Sequence, residues 1–189
     1  MALASTVPRL SVLGIVASPR AAGSTSAAVA GVLEGCRERG AATELLDLGG
    51  PPGAATVIER IGLCDAVVFG SPTYRASHTS LLAGLLEQIG RGAAYERGAP
   101  LRGKASSIVM TGAAAEHFLA TEKLRSTLAV FFAAQVLSPA LYLAAREFGP
   151  DKTLNDAAAG LARLHGRALV DLAGACRVST DLSALEPLV

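Results

Sequence analysis

The fold is decided by residues 10–39, LSVLGIVASPRAAGSTSAAVAGVLEGCRER. Their composition changes from an apolar run to a polar loop and then to an Ala-rich run. Residues 10–17 are apolar and show no clean alternation, which predicts a strand buried on both faces. Residues 24–39 are rich in Ala and end with basic residues before Gly40, which predicts a helix that stops at that point. A polar loop joins the two, so the stretch indicates one strand–loop–helix unit of an α/β protein.

The same unit recurs along the rest of the chain. Further strand-like runs lie at residues 43–48, 66–70, 104–111 and 140–144. Helix-like runs alternate with them, at residues 57–63, 79–89, 116–132 and 155–178. Five such units predict a doubly wound, three-layer α/β fold: a five-stranded parallel sheet in the order 2-1-3-4-5 with helices on both faces. We expect residues 1–189 to form a single domain, because neither a linker nor a repeat interrupts the pattern.

Composition and charge indicate which classes of protein this chain is not expected to belong to. The chain has 189 residues, of which 51% are hydrophobic, so it can build a large core. Its formal net charge is +1, which does not favour a nucleic-acid partner or an anionic membrane. Residues 128–145 carry no charge, yet Gln135 and Pro139 interrupt them. A helix end, a turn and a strand are therefore expected there rather than a membrane span.

The three cysteines, Cys36, Cys64 and Cys176, are odd in number and far apart. This spacing does not favour a disulfide framework or a zinc site. Reduced thiols in a reducing cytosol are the simpler interpretation, so we expect a cytoplasmic protein. No His clusters with Cys or carboxylates along the sequence, so no metal is expected.

Ligands of such sheets bind beyond the carboxyl ends of the strands, next to strand one. The first loop there combines a helix N-terminus with hydroxyls and a guanidinium, which suits a phosphate monoester. The candidate phosphate-binding residues are Ser18, Arg20, Ser24, Thr25 and Ser26. A simple N-capped helix with a solvated Arg is the alternative at this stage.

The loop after the third strand, SPTYR at residues 71–75, adds a rigid proline and an aromatic ring. Pro72, Thr73, Tyr74 and Arg75 are therefore candidate ligand-binding residues, with Arg75 stacking on a ring or pairing with a phosphate. A planar ligand across these loops, with its phosphate in the first loop, describes flavin mononucleotide (FMN). Ordinary surface packing of Tyr74 and a solvated Arg75 remain the alternatives.

Three segments carry a resemblance to a known family. Residues 17–26 are similar to a G-S-P-R…S…S/T phosphate loop, and residues 70–86 (GSPTYRASHTSLLAGLL) are similar to G-[ST]-P-x-Y-[KR]-x-[AS]…LL…L. Gly103-Lys104 with residues 111–120 (TGAAAEHFLA) is similar to G-K…T-G-G-x-x-x-H-x-L-A. The chain thus resembles the flavodoxin-like NAD(P)H-dependent FMN reductases, and more narrowly the NADPH:FMN reductases associated with alkanesulfonate monooxygenases.

The resemblance implies hydride transfer from NADPH or NADH to FMN, with reduced flavin supplied to a flavin-dependent monooxygenase. It also implies a homodimer or homotetramer. No catalytic side chain is needed, because the flavin carries the chemistry. Gly112 and Ala113 would leave room over one ring face, and His117 would contact flavin, nicotinamide or a neighbouring subunit unless it only packs at the helix start.

Two departures from the family pattern lead to further expectations. Residues 120–124 lack the one-residue insertion that forms a π-bulge in the sulfonate-linked members, so we expect no bulge and firmer FMN binding. Ala113 also replaces a Gly of the motif. Four basic residues near the long loop before strand four either contact the phosphate of the nicotinamide donor or belong to a solvated or intersubunit loop: Arg91, Arg97, Arg102 and Lys104.

Two other functions stay open at this point. The first is an enzyme that keeps FMN as a fixed prosthetic group and uses it to reduce quinones, azo dyes or metal oxyanions. The second is a flavodoxin-like electron carrier without hydride chemistry.

Overall fold

Six parallel strands form one sheet in the computed structural model, which describes residues 9–93, 96 and 98–187. They are β1 (Ser11–Val16), β2 (Ala42–Asp47), β3 (Ala66–Pro72), β4 (Ala105–Gly112), β5 (Gln135–Val136) and β6 (Leu141–Ala144). The order is β2-β1-β3-β4, and both β5 and β6 pair with β4. The predicted order 2-1-3-4-5 is confirmed, with two short strands sharing the fifth position.

Helices cover both faces of this sheet. They are α1 (Ser24–Glu38), α2 (Ala54–Leu63), α3 (Ser80–Leu86), α4 (Ala120–Ser126), α5 (Asp156–Val178) and α6 (Thr180–Ala184). Strand β1 illustrates the two cores: Val12 and Val16 pack with buried residues of α1 and α5, whereas Leu13 and Ile15 pack with those of α2, α3 and α4. Burial on both faces explains why the strand sequences do not alternate.

Helices α1 and α5 pack backbone to backbone on one face. A Cβ placed at Gly35 of α1 would lie 2.0 Å from the carbonyl oxygen of Arg163 in α5. Leu154, just before α5, reaches the middle of α1, 3.0 Å from a Cβ placed at Gly31. Both helices follow parallel strands and therefore begin at the same edge of the sheet, where ligands of this fold bind.

The apolar run 128–145 forms the end of a helical segment followed by the split fifth strand. Residues Gln135 and Val136 pair with the start of β4, and Leu141–Ala144 pair with its end. Pro139, between them, has no N–H to donate to the ladder, which accounts for the break. Within the described part of the chain, no helix combines the length and the apolarity that a membrane crossing requires.

The expectation of one unbroken helix over 116–132 is wrong. The segment is a 3₁₀ turn at Ala115–Leu119, then α4, then a π-helical turn at Thr127–Phe131. Residues 120–124, where the family insertion would fall, are α-helical as expected, and the π-helical turn lies further along the segment. The Thr127 hydroxyl donates to the carbonyl of Lys123 (3.0 Å), a back-bond that loosens regular helix.

Candidate functional site

The carboxyl ends of β1, β3, β4 and β6 surround one cavity of about 470 Å³. Each strand contributes the loop that follows it, so the cavity has four walls. The lining residues are Ser18, Arg20, Gly23, Ser24, Thr25, Pro72, Thr73, Tyr74, Thr111, Gly112, Ala113, Ala145, Phe148 and Lys152. The site lies where doubly wound sheets bind their ligands.

The first wall is the loop between β1 and α1. Gly23 is the N-cap of α1 and has no side chain with which to cap it. The first helical bond runs from the N–H of Ala27 to the carbonyl of Gly23 (3.1 Å), so the N–H groups of Ser24, Thr25 and Ser26 precede the hydrogen-bonded ladder. No acidic residue lies in this first turn. The helix end therefore offers donors and a partial positive charge to an anion.

Side-chain hydroxyls fix the shape of this first wall. Thr25 is buried, and its Oγ1 lies 2.8 Å from Oγ1 of Thr111, which joins the start of α1 to the end of β4. The buried Ser18 accepts a hydrogen bond from the backbone N–H of Arg20 (3.2 Å). Because the loop is bonded to itself and to the sheet, its free donors are held in place before a ligand arrives.

The second wall follows β3 and ends in a tight turn. The N–H of Thr73 donates to the carbonyl of Thr111 (2.7 Å), and Tyr74 and Ser77 exchange two backbone bonds of 2.9 and 3.1 Å. Between them, Arg75 and Ala76 have φ of 50° and 57°. Two central residues at positive φ are the signature of a type I′ turn, which costs non-glycine residues energy. This strained turn presents Tyr74, which is 49% exposed, at the rim of the cavity.

Thr73 brings an unused hydroxyl to the same wall. Its Oγ1 is buried and has no hydrogen-bond partner among the described residues. The neighbouring Tyr142 hydroxyl donates its proton to the carbonyl of Ala114 (3.0 Å). Burial raises the pKa of Tyr142, while the Thr73 hydroxyl acts in the opposite direction, so the two groups are close without forming a well-aligned bond. A ligand is the natural partner for a buried hydroxyl that lines a cavity.

The third wall, at the end of β4, needs its glycine. A Cβ at Gly112 would lie 1.8 Å from the Tyr142 hydroxyl oxygen, so no larger residue fits there without displacing that ring. Ala113 beside it is exposed and small. No bulky side chain therefore projects from the end of β4, and a flat ligand can lie against the backbone.

The fourth wall, formed by Ala145, Phe148 and Lys152, was missed by the sequence reasoning. It is the connection from β6 to α5, closed by a turn in which Gly149 donates to the carbonyl of Thr153 (2.8 Å). No phosphate or ring-binding motif marks this segment. The topology rule alone could have pointed to it, because the loop after the fifth strand opens on the same edge as the others.

Nine of the twelve predicted ligand-binding residues line this cavity: Ser18, Arg20, Ser24, Thr25, Pro72, Thr73, Tyr74, Gly112 and Ala113. The other three lie outside the lining. Ser26 is one step further along α1, Arg75 sits at the tip of the type I′ turn, and His117 is exposed on the 3₁₀ turn. The type I′ turn at Arg75 and Ala76 places Arg75 beyond the residues that line the cavity.

The basic residues before β4 have other contacts. Arg91 pairs with Glu96 and lies 4.6 Å from the ring centre of Phe131. Arg102 pairs with Glu186, and Lys104 donates to the carbonyl of Cys64. These three do not line the cavity, and Arg97 lies outside the described residues.

The charge of the cavity is one-sided. Among the described residues that line it, Arg20 and Lys152 are cationic and none is acidic. Across residues 9–93, 96 and 98–187, no group of three or more His, Cys, Asp or Glu could hold a metal ion. The cavity therefore suits an organic anion with several phosphate oxygens.

Known structures share this architecture. An apo NADH:FMN oxidoreductase superposes with a TM-score of 0.74 at 16% identity, over 93% of this chain and 95% of that one. An NAD(P)H:(acceptor) oxidoreductase from Paracoccus denitrificans gives 0.69 at 20% identity, over 88% and 98%. A flavodoxin from the domain Archaea gives 0.62 at 13% identity, over 89% and 99%. Likeness at this level of identity establishes the flavodoxin-like fold.

Sequence relationships are more specific. No curated protein matches the chain significantly in sequence. The family model of NADPH-dependent FMN reductases matches residues 10–148, which include three of the four walls and part of the fourth. The chain therefore belongs to the NADPH-dependent FMN reductase family, as an oxidoreductase that uses FMN with NAD(P)H as its electron donor.

Proposed function

We propose that this enzyme reduces FMN as an exchangeable substrate and supplies the reduced flavin to a partner flavin-dependent monooxygenase. The observation that supports exchange is the exposure of the cavity rim. Arg20, Tyr74, Ala113 and Lys152 all line the cavity and are all exposed to solvent. A flavin bound there has contact with water along its length and can leave after it is reduced.

The residues of the cavity fit the parts of FMN. The phosphate is assigned to the start of α1, where backbone N–H groups, the Ser24 hydroxyl and the Arg20 guanidinium converge. The unpartnered Thr73 hydroxyl is a donor for a polar atom of the ribityl chain or the ring. Tyr74 and Phe148 supply apolar surface for a flat ring.

Bound FMN supplies the hydride acceptor, and the chain supplies position. Gly112 and Ala113 are small, so one side of the cavity leaves space for the nicotinamide ring of the donor to stack on the flavin. Backbone N–H groups of the loop after β4, at Gly112 and Ala113, would stabilise developing negative charge on the ring. We assign no side chain a proton-transfer role.

The helix after β4 does not support release of the flavin. Residues 120–124 are α-helical, and the π-helical turn lies further along at Thr127–Phe131, so the proposal of exchange rests on the exposed rim of the cavity. The described basic residues before β4 are occupied by other partners, so discrimination between NADPH and NADH is not assigned to them.

We further propose one domain over residues 1–189, a homodimer or homotetramer, and a cytoplasmic location. Assembly is supported by large apolar side chains that remain exposed after β4, namely Phe118, Leu119, Val130 and Phe131. The location is supported by the free thiols of Cys36, Cys64 and Cys176.

The test is NADPH and NADH oxidation by thoroughly desalted protein while FMN is added from zero to excess. We expect almost no rate without FMN and a saturating rise with it, together with colourless desalted protein. Yellow protein that oxidises NADPH without added flavin, and faster with a quinone or azo dye, would overturn exchange and favour a fixed prosthetic group. Transfer is tested by separating the reductase from a flavin-dependent monooxygenase with a dialysis membrane, since free reduced FMN would cross it.

A further inference from the structure

Lys152 is a cation of the cavity that no motif indicates. It lies in the connection between β6 and α5, beyond the residues 10–148 that the family model matches. Its backbone φ is +67°, in the left-handed region that lysine adopts rarely. A residue kept in that conformation at a ligand cavity suggests that its side chain has a role.

The turn around Lys152 is built by its neighbours. The N–H of Lys152 donates to the carbonyl of Gly149 (3.0 Å), and Asp151 accepts from both the N–H and the hydroxyl of Thr153 (3.1 and 2.7 Å). The Asp151 carboxylate next to it is therefore engaged within the turn. Lys152 is the residue of this turn that lines the cavity.

This turn shares its cavity with the phosphate end of the site. Leu154 packs against the middle of α1, near Gly31, and α5 then continues along α1 past Gly35. Lys152, two residues before Leu154, lines the same cavity as Ser24 and Thr25 at the start of α1. Lys152 and Arg20 thus line one cavity from two different loops.

A phosphate monoester carries a charge between −1.5 and −2 near pH 7, by the usual value of its second pKa of about 6. One guanidinium cannot balance that charge. Among the described lining residues the second cation is Lys152, and no carboxylate opposes it. The dipole of α1 adds a partial positive charge at the same end.

We propose that Lys152 is a phosphate-binding residue for FMN, which supplies from the β6–α5 turn the second positive charge of the phosphate site. This inference rests on the proposed function, because it requires FMN in this cavity. Its ligand chemistry is a phosphate monoester dianion, which FMN carries and which the 2′-phosphate of NADPH also carries.

The experiment compares FMN with riboflavin, which lacks the phosphate. Dissociation constants are measured by flavin fluorescence for the wild type, Lys152→Met and Lys152→Arg. We expect Lys152→Met to weaken FMN binding by about tenfold or more, as loss of a charge-assisted hydrogen bond does, and to leave riboflavin binding unchanged. Lys152→Arg should keep most of the FMN affinity, and the salt dependence of FMN binding should be weaker in Lys152→Met.

Two controls keep the result interpretable. Lys123→Met removes an exposed lysine of α4 that does not line this cavity, and it should bind both flavins as the wild type does. Lys152→Asn removes the charge with a residue that accepts positive φ more readily, so it replaces Lys152→Met if that variant unfolds.

Each remaining outcome has one meaning. Equal loss of FMN and riboflavin affinity, or unchanged FMN affinity, would overturn the inference. A higher KM for NADPH but not for NADH, with FMN affinity intact, would also overturn it and assign Lys152 to the donor. A wild type that binds neither flavin would refute the proposed function instead.

Discussion

Two threonines of the cavity differ in what their hydroxyls do. Thr25 is bonded to Thr111 and holds α1 to the end of β4, whereas Thr73 has no partner among the described residues. The first hydroxyl therefore stabilises the fold and the second is available to a ligand. Substitutions that remove each hydroxyl should therefore separate an effect on protein stability from an effect on ligand binding.

We predict that Thr73→Val changes the free energy of unfolding by less than about 0.5 kcal/mol and weakens FMN binding about fivefold, by the usual net value of a hydrogen bond. Thr25→Val should destabilise the protein by about 1–2 kcal/mol, because it leaves the Thr111 hydroxyl buried without its partner. Urea unfolding and flavin fluorescence measure the two effects. A destabilised Thr73→Val with normal flavin affinity would show that its hydroxyl serves the fold.

The sequence identifies most residues of the cavity, and the misses have physical causes. Hydroxyls and Arg20 at a strand–helix junction indicate an anion site by their chemistry alone. Arg75 is a candidate because its guanidinium can stack on a ring or pair with a phosphate. The turn that places it outside the cavity lining has no Gly or Asn to signal it, although Arg75 and Ala76 adopt positive φ. Lys152 and Phe148 were missed because their role depends on the packing of α5 against α1.

Elements are joined at the opposite edge of the sheet by Asp65. Its carboxylate accepts from the N–H and hydroxyl of Ser11 (2.7 and 2.9 Å) and pairs with Arg177 (2.7 Å), which ties β1 and β3 to the end of α5. Burial alone would raise the pKa of Asp65, but the hydrogen bonds from Arg177 and Ser11 outweigh it and hold the pKa below its ordinary value.

A lowered carboxyl pKa in the folded state means that folding favours the ionised form. The resulting stability is complete above the ordinary Asp pKa of about 3.9 and is lost as the pH falls through the lower, folded value. We predict that Asp65→Asn lowers Tm at pH 7 and that the gap from the wild type closes below about pH 4. Glu186→Gln, which removes one exposed partner of Arg102, should change Tm little. A constant gap from pH 7 to 3 would contradict this interpretation.

The contact between α1 and α5 depends on glycine. We predict that Gly35→Ala destabilises the protein by about 2–3 kcal/mol, because the added methyl would overlap backbone atoms of Arg163 that cannot move aside. Gly160→Ala within α5 meets nothing within 4 Å and should stabilise by about 0.5–1 kcal/mol. Thermal or urea unfolding separates them, and similar effects of the two changes would refute the close crossing.

Element types follow from the sequence better than their irregularities do. Short, continuous apolar runs predict the strands, because these strands are buried on both faces. Ala-rich runs with polar positions predict the helices, because each helix is buried on one face only. The 3₁₀ and π turns around α4 leave none, since they depend on bonds such as that from Thr127 to Lys123. The break in the fifth strand is visible in advance only as Pro139.

At the scale of the whole molecule, the order of strands and helices along the chain determines where the site forms. Its walls come from four loops that are far apart in sequence and meet because parallel strands end at one edge. That step is predictable from the βα pattern alone. Assembly is not, because the exposed side chains Phe118, Leu119, Val130 and Phe131 become a surface only in the folded protein.

We predict that the wild type sediments as a dimer or tetramer at micromolar concentration and that Phe118→Ser with Leu119→Ser shifts it towards monomer. Leu63→Ser, which changes an exposed leucine on α2, is the matched control and should not alter the sedimentation. A monomeric wild type, or equal effects of the two variants, would contradict assembly through this surface.

The central claim is that the four-walled cavity binds FMN with its phosphate at the start of α1. A crystal structure of the protein with FMN tests it most directly. We predict phosphate oxygens within hydrogen-bond distance of the backbone N–H groups of Ser24 and Thr25 and of the Arg20 guanidinium, with the ring against Tyr74 and Gly112. A phosphate bound elsewhere, with the start of α1 occupied only by water, would contradict the claim.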